Sequence, residues 1–229
     1  MRIMVAAFLS LALLSCSGER KKAELKTAQD SVSYSIGVDI GLTLQNQEIT
    51  VEPDPFLQGL LDAADTSGNR LMTDEQIQTT MRAFQQRVIE QRQKKMSEQS
   101  SAAKIEGDAF LAENKAKPGV VTTASGLQYK VVKMGKGKKP KATDNVTVHY
   151  SGRLINGMVF DNSYDRGEPV TFPVNGVIAG WTEVLQLMPV GSKWEVVVPS
   201  KLGYGDSPAG PIPPGSTLIF DLELLAIKK

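Results

Sequence analysis

The sequence predicts an α+β protein: an all-α N-terminal domain with one long linking helix, then an antiparallel β-sheet wrapped on one short helix. Three observations carry this. The hydrophobic period changes from 3.6 to 2 after Pro118-Gly119. The stretch after Thr73 contains no Pro or Gly until Gly107. Beyond Pro118 only residues 177–188 keep a helical spacing. A chain of 229 residues, 41% hydrophobic and 22% charged, has room for two modest domains. Its net charge of +1, without an aromatic-interleaved basic patch, gives no case for nucleic acid.

The first residues stand apart from the fold. Met1-Arg2 supplies a positive start, and Ile3 to Leu14 is apolar. About a dozen residues are too few to span a bilayer core of ~30 Å but suit a secretory signal. Leu13-Leu14-Ser15-Cys16 resembles a bacterial lipobox, in which the Cys carries acyl chains after cleavage. A buried free thiol is the plainer alternative, but Cys16 is the only cysteine and closes the apolar run. Residues 1–16 are therefore predicted to be a lipoprotein signal and 17–26 a polar tether. Ser17 after the Cys resembles lipoproteins sent to the outer membrane.

The helical domain is predicted over residues 27–117. Val32, Ile36, Ile40 and Leu44 recur every fourth residue, with Gly37 and Gly41 on an adjacent row. Small residues so placed let two helices approach closely; equally, they read as glycines that weaken a helix by ~1 kcal/mol each. After Pro53-Asp54-Pro55 comes a second helix with the apolar face Phe56, Leu57, Leu60 and Leu61, then a turn at Thr66-Ser67-Gly68-Asn69. Thr73 and Gln76 have capping-box spacing and start the long helix at about residue 74. About 40 residues of helix span about 60 Å. Ile77, Met81, Phe84 and Val88 form its early seam. From Glu90 to Lys104 the residues are polar, the pattern of a helix bridging domains through solvent, and apolar character returns at Ile105, Ala109, Phe110 and Leu111. The helices carry too few large apolar residues to bury one another in a monomer, which points to a homodimer.

In the β domain, 118–229, strands are expected at residues 126–132, around Val146, Val148 and Tyr150, at Val159-Phe160, around Trp194, Val196 and Val198, and over 218–227. One Cys and one His leave no Cys/His metal cluster, and no nucleotide fingerprint is present. His149 alternates out of phase with Val148 and Tyr150 and should face solvent.

What remains is a set of aromatics with one carboxylate and one arginine. The motifs Val148-His149-Tyr150-Ser151-Gly152, Phe160-Asp161-Asn162-Ser163-Tyr164-Asp165-Arg166-Gly167, Val177-Ile178-Ala179-Gly180-Trp181, Leu202-Gly203-Tyr204-Gly205 and Ile212-Pro213-Pro214 to Phe220-Asp221 resemble the FKBP family, in the family's order. The whole chain resembles its Mip-like bacterial lipoprotein branch (macrophage infectivity potentiator). The resemblance implies an FKBP fold and a cofactor-free peptidyl-prolyl cis/trans isomerase acting on proline-containing exported polypeptides. It also implies a homodimer through the N-terminal helices, an anchor on the outer membrane through Cys16, and sensitivity to the family's macrolide inhibitors. Carried over residue by residue, Tyr150, Asp161, Tyr204 and Phe220 should be catalytic, and Phe160, Arg166, Phe172, Val177, Ile178, Trp181 and Ile212 should bind substrate. Trp181 should be the floor, with Arg166 the ion-pair partner of Asp161. The loop from Asp206 to Pro211 is shorter than in single-domain members and lacks their His, and Gly203 stands where Ala is usual; both bear on substrate preference. The alternative from another class is a chaperone that uses the pocket only to grip proline-containing segments.

Overall fold

The computed structural model describes residues 23–228, so the signal, Cys16 and most of the tether lie outside the described residues. The chain divides into two compact units, one ending at Thr73 and the other running from Asp74.

In the first unit, helix α1 (Ala28–Asn46) begins where Thr27 and Asp30 close a capping box. The Asp30 N–H donates to Thr27 Oγ1, and the Thr27 N–H donates back to the Asp30 carboxylate. Helix α2 (Pro53–Ala64) starts on a proline, whose missing N–H is no loss in a first turn. Neither helix has a buried residue: Val32, Ile36, Phe56, Leu57, Leu60 and Leu61 are all exposed.

The second unit opens with the long helix, α3 (Asp74–Asn114). It is unbroken through the polar stretch. Among the described residues, seven strands then form one antiparallel sheet: β1 (Val120–Thr122), β2 (Gln128–Lys133), β3 (Asn145–Leu154), β4 (Val159–Asn162), β5 (Val170–Pro173), β6 (Lys193–Val198) and β7 (Leu218–Lys228). The order is β1-β2-β6-β7-β3-β4, and β5 shares an edge of β3 with β4. Helix α4 (Ala179–Leu187) covers one face, burying Val184 and Leu185 with Val146, Val148, Val196, Val198, Leu222 and Leu224. Its approach is close: a Cβ on Gly180 would sit 2.6 Å from a Val198 methyl carbon.

Several expectations change in detail. Strands β1 and β5 are short additions that three- and four-residue segments do not advertise. Strand β2 starts at Gln128, because Gly126 sits in a turn at φ +94°. The short helix spans Ala179–Leu187 rather than 177–188; Val177 keeps an extended backbone. His149 is half-buried rather than solvent-facing. Its ring stacks on Tyr164 at 4.5 Å, and its Nδ1 lies 2.9 Å from Ser163 Oγ.

The largest correction concerns α3. Ile105 is 72% exposed and Ala109 is exposed, while Ser100, Gly107 and Asn114, seven residues apart, are buried. The C-terminal part of the polar helix therefore packs through small and polar residues. Asn114 Nδ2 donates to Gln128 Oε1 at 2.9 Å, and Gln128 Nε2 donates to the Leu111 carbonyl at 2.8 Å. Gln128 pairs with Val197 in the sheet, whereas Val198 faces α4, so α3 lies against the opposite face.

Candidate active site

Strand alternation sends Val146, Val148, Tyr150, Gly152 and Leu154 of β3 to the α4 face, beside Leu218, Phe220 and Leu222 of β7. Gly152 pairs with Phe220, and this position needs glycine. A Cβ there would come within 2.6–2.8 Å of the Phe160 and Phe220 rings. The missing side chain makes space for two phenylalanines, which meet edge to face at 5.7 Å. Strand β4 brings Phe160 and Asp161, β5 brings Phe172, and the first turn of α4 brings Trp181.

Trp181 is the hub. Its ring packs edge to face on Tyr150 at 5.1 Å, Phe220 at 5.2 Å and Phe172 at 6.0 Å. Such pairs add ~0.5–1.5 kcal/mol each beyond area burial and lock ring orientation. The indole N–H is buried and has no hydrogen-bond partner among the described residues. Together Tyr150, Phe160, Asp161, Phe172, Gly176, Val177, Ile178, Trp181, Tyr204 and Phe220 line a cavity of about 500 Å³. Another cavity of about 520 Å³ lies between α3 and the sheet; three lysines, Leu111, Ala112 and Pro199 are among its lining residues, and no aromatic is. Aromatic walls set the first cavity apart from the second.

The polar group on its wall is tightly held. The Tyr150 hydroxyl and the Arg166 guanidinium both donate to the Asp161 carboxylate, and Arg166 Nη2 also donates to the Tyr150 oxygen at 3.0 Å. Arg166 lies 5.7 Å from the Tyr150 ring centre. Partial burial works to raise the Asp161 pKa, but the hydrogen bonds from Tyr150 and Arg166 and the arginine charge outweigh it and hold the carboxyl below its ordinary value. Burial, then the bond to Asp161, pushes the Tyr150 phenol up. The phenol is a neutral donor and the aspartate an anion at neutral pH.

Two expected residues stand outside the lining. Ile212 is a core residue, 4% exposed, bridged to Ala209 beneath the loop. Arg166 is exposed and meets the lining through its bonds to Asp161 and Tyr150. Two residues were missed. Gly176 lines the cavity, closed against Pro173, and nothing in its spacing marks it. Ser163 is fully buried: its Oγ accepts the Tyr150 N–H at 2.8 Å and donates to the Tyr150 carbonyl at 3.1 Å. It clamps the strand that carries the phenol to the end of β4.

Fold and pocket define a β-sheet domain that carries an aromatic-walled cavity. Residues 29–131 match the model of the domain amino terminal to FKBP-type peptidyl-prolyl isomerase, and residues 136–225 match that of the FKBP-type peptidyl-prolyl cis-trans isomerase itself. The outer membrane protein MIP of Legionella longbeachae is 44% identical over all of this chain and 98% of its own length. The peptidyl-prolyl cis-trans isomerase Mip of Coxiella burnetii is 43% identical with both chains fully covered. The crystal structure of FkpA from Escherichia coli is 38% identical, covers 90% of this chain and 99% of that one, and superposes with a TM-score of 0.73. The chain belongs to the FKBP-type peptidyl-prolyl cis/trans isomerases that carry the family's amino-terminal domain, and it is an enzyme of the X-Pro amide.

Proposed function

We propose that the aromatic cavity is the isomerase site, with Tyr150, Asp161, Tyr204 and Phe220 acting on the amide and Phe160, Phe172, Val177, Ile178 and Trp181 seating the proline. The supporting observation is the composition of the cavity: five rings packed at fixed angles, and one carboxylate whose charge is balanced by Arg166. Amide rotation has a barrier of ~18–20 kcal/mol because resonance must be broken. The twisted transition state has a less negative carbonyl oxygen than the planar amide, so an apolar wall binds it better than water does. Each ~1.36 kcal/mol so gained is tenfold in rate. Tyr204, 44% exposed at the rim, donates to the substrate carbonyl. Asp161, whose two oxygens each accept a hydrogen bond, faces the amide as a held anion and takes no proton. The same pocket receives the family's macrolide inhibitors.

The enzyme works as an envelope lipoprotein, anchored on the outer membrane by acyl chains on Cys16, and as a homodimer. The exposed apolar faces of α1 and α2 support the dimer, as do Gly37 and Gly41. A Cβ on either glycine would meet nothing within 4 Å among the described residues, which leaves room for a second helix. A short X-Pro peptide, assayed with residues 17–229, tests the site. Asp161→Ala and Tyr204→Phe should each lose at least about tenfold in kcat/KM. If both keep the wild-type rate, these two residues do not act on the amide; if the wild type shows no acceleration while the protein still suppresses aggregation of a proline-free client, the chaperone alternative replaces this reading.

A further inference from the structure

The Tyr204 side chain is exposed, and the backbone beyond it runs as a loop until Leu218. Two residues on, Asp206 is tied to the long helix. Ser100 Oγ donates to Asp206 Oδ1, and Lys104 Nζ makes an ion pair with the same oxygen. Ser100 is 4% exposed although it lies in the polar stretch of α3. The far end of the loop meets the helix at the same turn. Gly215, at φ +78°, passes so close that a Cβ would fall 2.4 Å from the Ser100 carbonyl oxygen. The Gly215 N–H donates to the Gly205 carbonyl at 2.8 Å, and the Gly205 N–H to the Ser200 carbonyl at 2.9 Å, so both ends of the loop close on each other at the contact with α3.

We propose that Ser100, Lys104 and Asp206 are positioning residues for the isomerase reaction: α3 braces the base of the loop that places the Tyr204 hydroxyl over the cavity. This explains why a polar helix segment keeps a serine buried at position 100. It also makes the long helix part of the catalytic unit, not only a spacer. An exposed ion pair contributes little to global stability, but a misplacement of about 1 Å in a substrate-contacting group is felt in turnover. The brace rests on the assignment of Tyr204 above, and the two can fail separately.

The test uses residues 17–229 carrying Asp206→Ala, Asp206→Asn, Lys104→Met, Lys104→Arg or Ser100→Ala, with Tyr204→Phe in parallel. kcat and KM are read on an X-Pro peptide, and Tm on each variant. Asp206→Ala should raise KM about three- to fivefold at unchanged Tm. Asp206→Asn, which keeps an acceptor for Ser100, and Lys104→Arg, which keeps the charge, should stay near wild type. Combining Asp206→Ala with Lys104→Met should do no more than Asp206→Ala alone, because one interaction is being removed twice. Wild-type KM in both Asp206→Ala and Lys104→Met overturns the brace, as does a fall in kcat that tracks Tm across the series. Wild-type kinetics in Tyr204→Phe removes the role of that hydroxyl and with it the purpose of the brace.

Discussion

At the scale of single residues, the pocket depends on two kinds of position: those that supply a group and those that supply space. Asp161 belongs to the first kind. Its folded pKa lies below the ordinary ~3.9 of an unfolded aspartate. The Tyr150–Asp161–Arg166 network therefore contributes stability that is fully present above that value and is lost as pH falls through the folded pKa. The isomerase rate should be flat on the acid side down to about pH 4 and fall only below it. Asp161→Asn, by contrast, should be impaired at pH 7, where the wild type is not; a pH–rate profile of both chains checks this. Gly152 belongs to the second kind. Gly152→Ala must displace the Phe160 or Phe220 ring, at a cost of about 1–3 kcal/mol in packing. Thermal unfolding should show a loss of that order, with a larger proportional loss of peptide binding.

At the scale of elements, α3 shows what pattern reading can and cannot find. Its start beside Thr73 and its continuity were legible, because they rest on the absence of breakers; the early seam of Ile77, Met81, Phe84 and Val88 buries none of its residues here. Its docking face was not legible. Ser100, Gly107 and Asn114 pack by being small or by hydrogen bonding, and hydrophobic periodicity does not register either property. Ile105, which does register, points to solvent. The strands divide in the same way: β3, β6 and β7 carry clear alternation, while β1 and β5 are too short to do so. Asn114→Ala should leave the buried Gln128 Oε1 without its donor, while Nε2 keeps the Leu111 carbonyl, and lower stability by about 1–3 kcal/mol. Gly107→Ala, whose Cβ would fall 2.3 Å from Thr217 Oγ1, should do the same by overpacking. Chemical denaturation of each variant measures both, and unchanged midpoints would mean that this face of α3 is not held as described.

At the scale of the whole molecule, the isomerase assignment was the most legible feature, because its motifs are spaced along strands that the fold brings to one cavity. Ten residues line that cavity and nine of them stand in the sequence expectation; Gly176 is the addition, and Ile212 and Arg166 lie outside the lining. The clamp by Ser163 and the brace at Asp206 were not legible, since each joins residues far apart in the chain through one hydroxyl or one carboxylate. In sedimentation, residues 17–229 should run as a dimer, and a monomer at micromolar concentration would contradict the pairing of the N-terminal helices. The central claim is that the aromatic box around Trp181 is what accelerates X-Pro rotation. The measurement that meets it most directly is kcat/KM on an X-Pro peptide for wild type and Trp181→Ala, with circular dichroism confirming that both are folded. The account expects clear acceleration by wild type and a loss of at least about tenfold in the folded variant. A folded Trp181→Ala that isomerises at the wild-type rate, or a wild type with no acceleration, would contradict it.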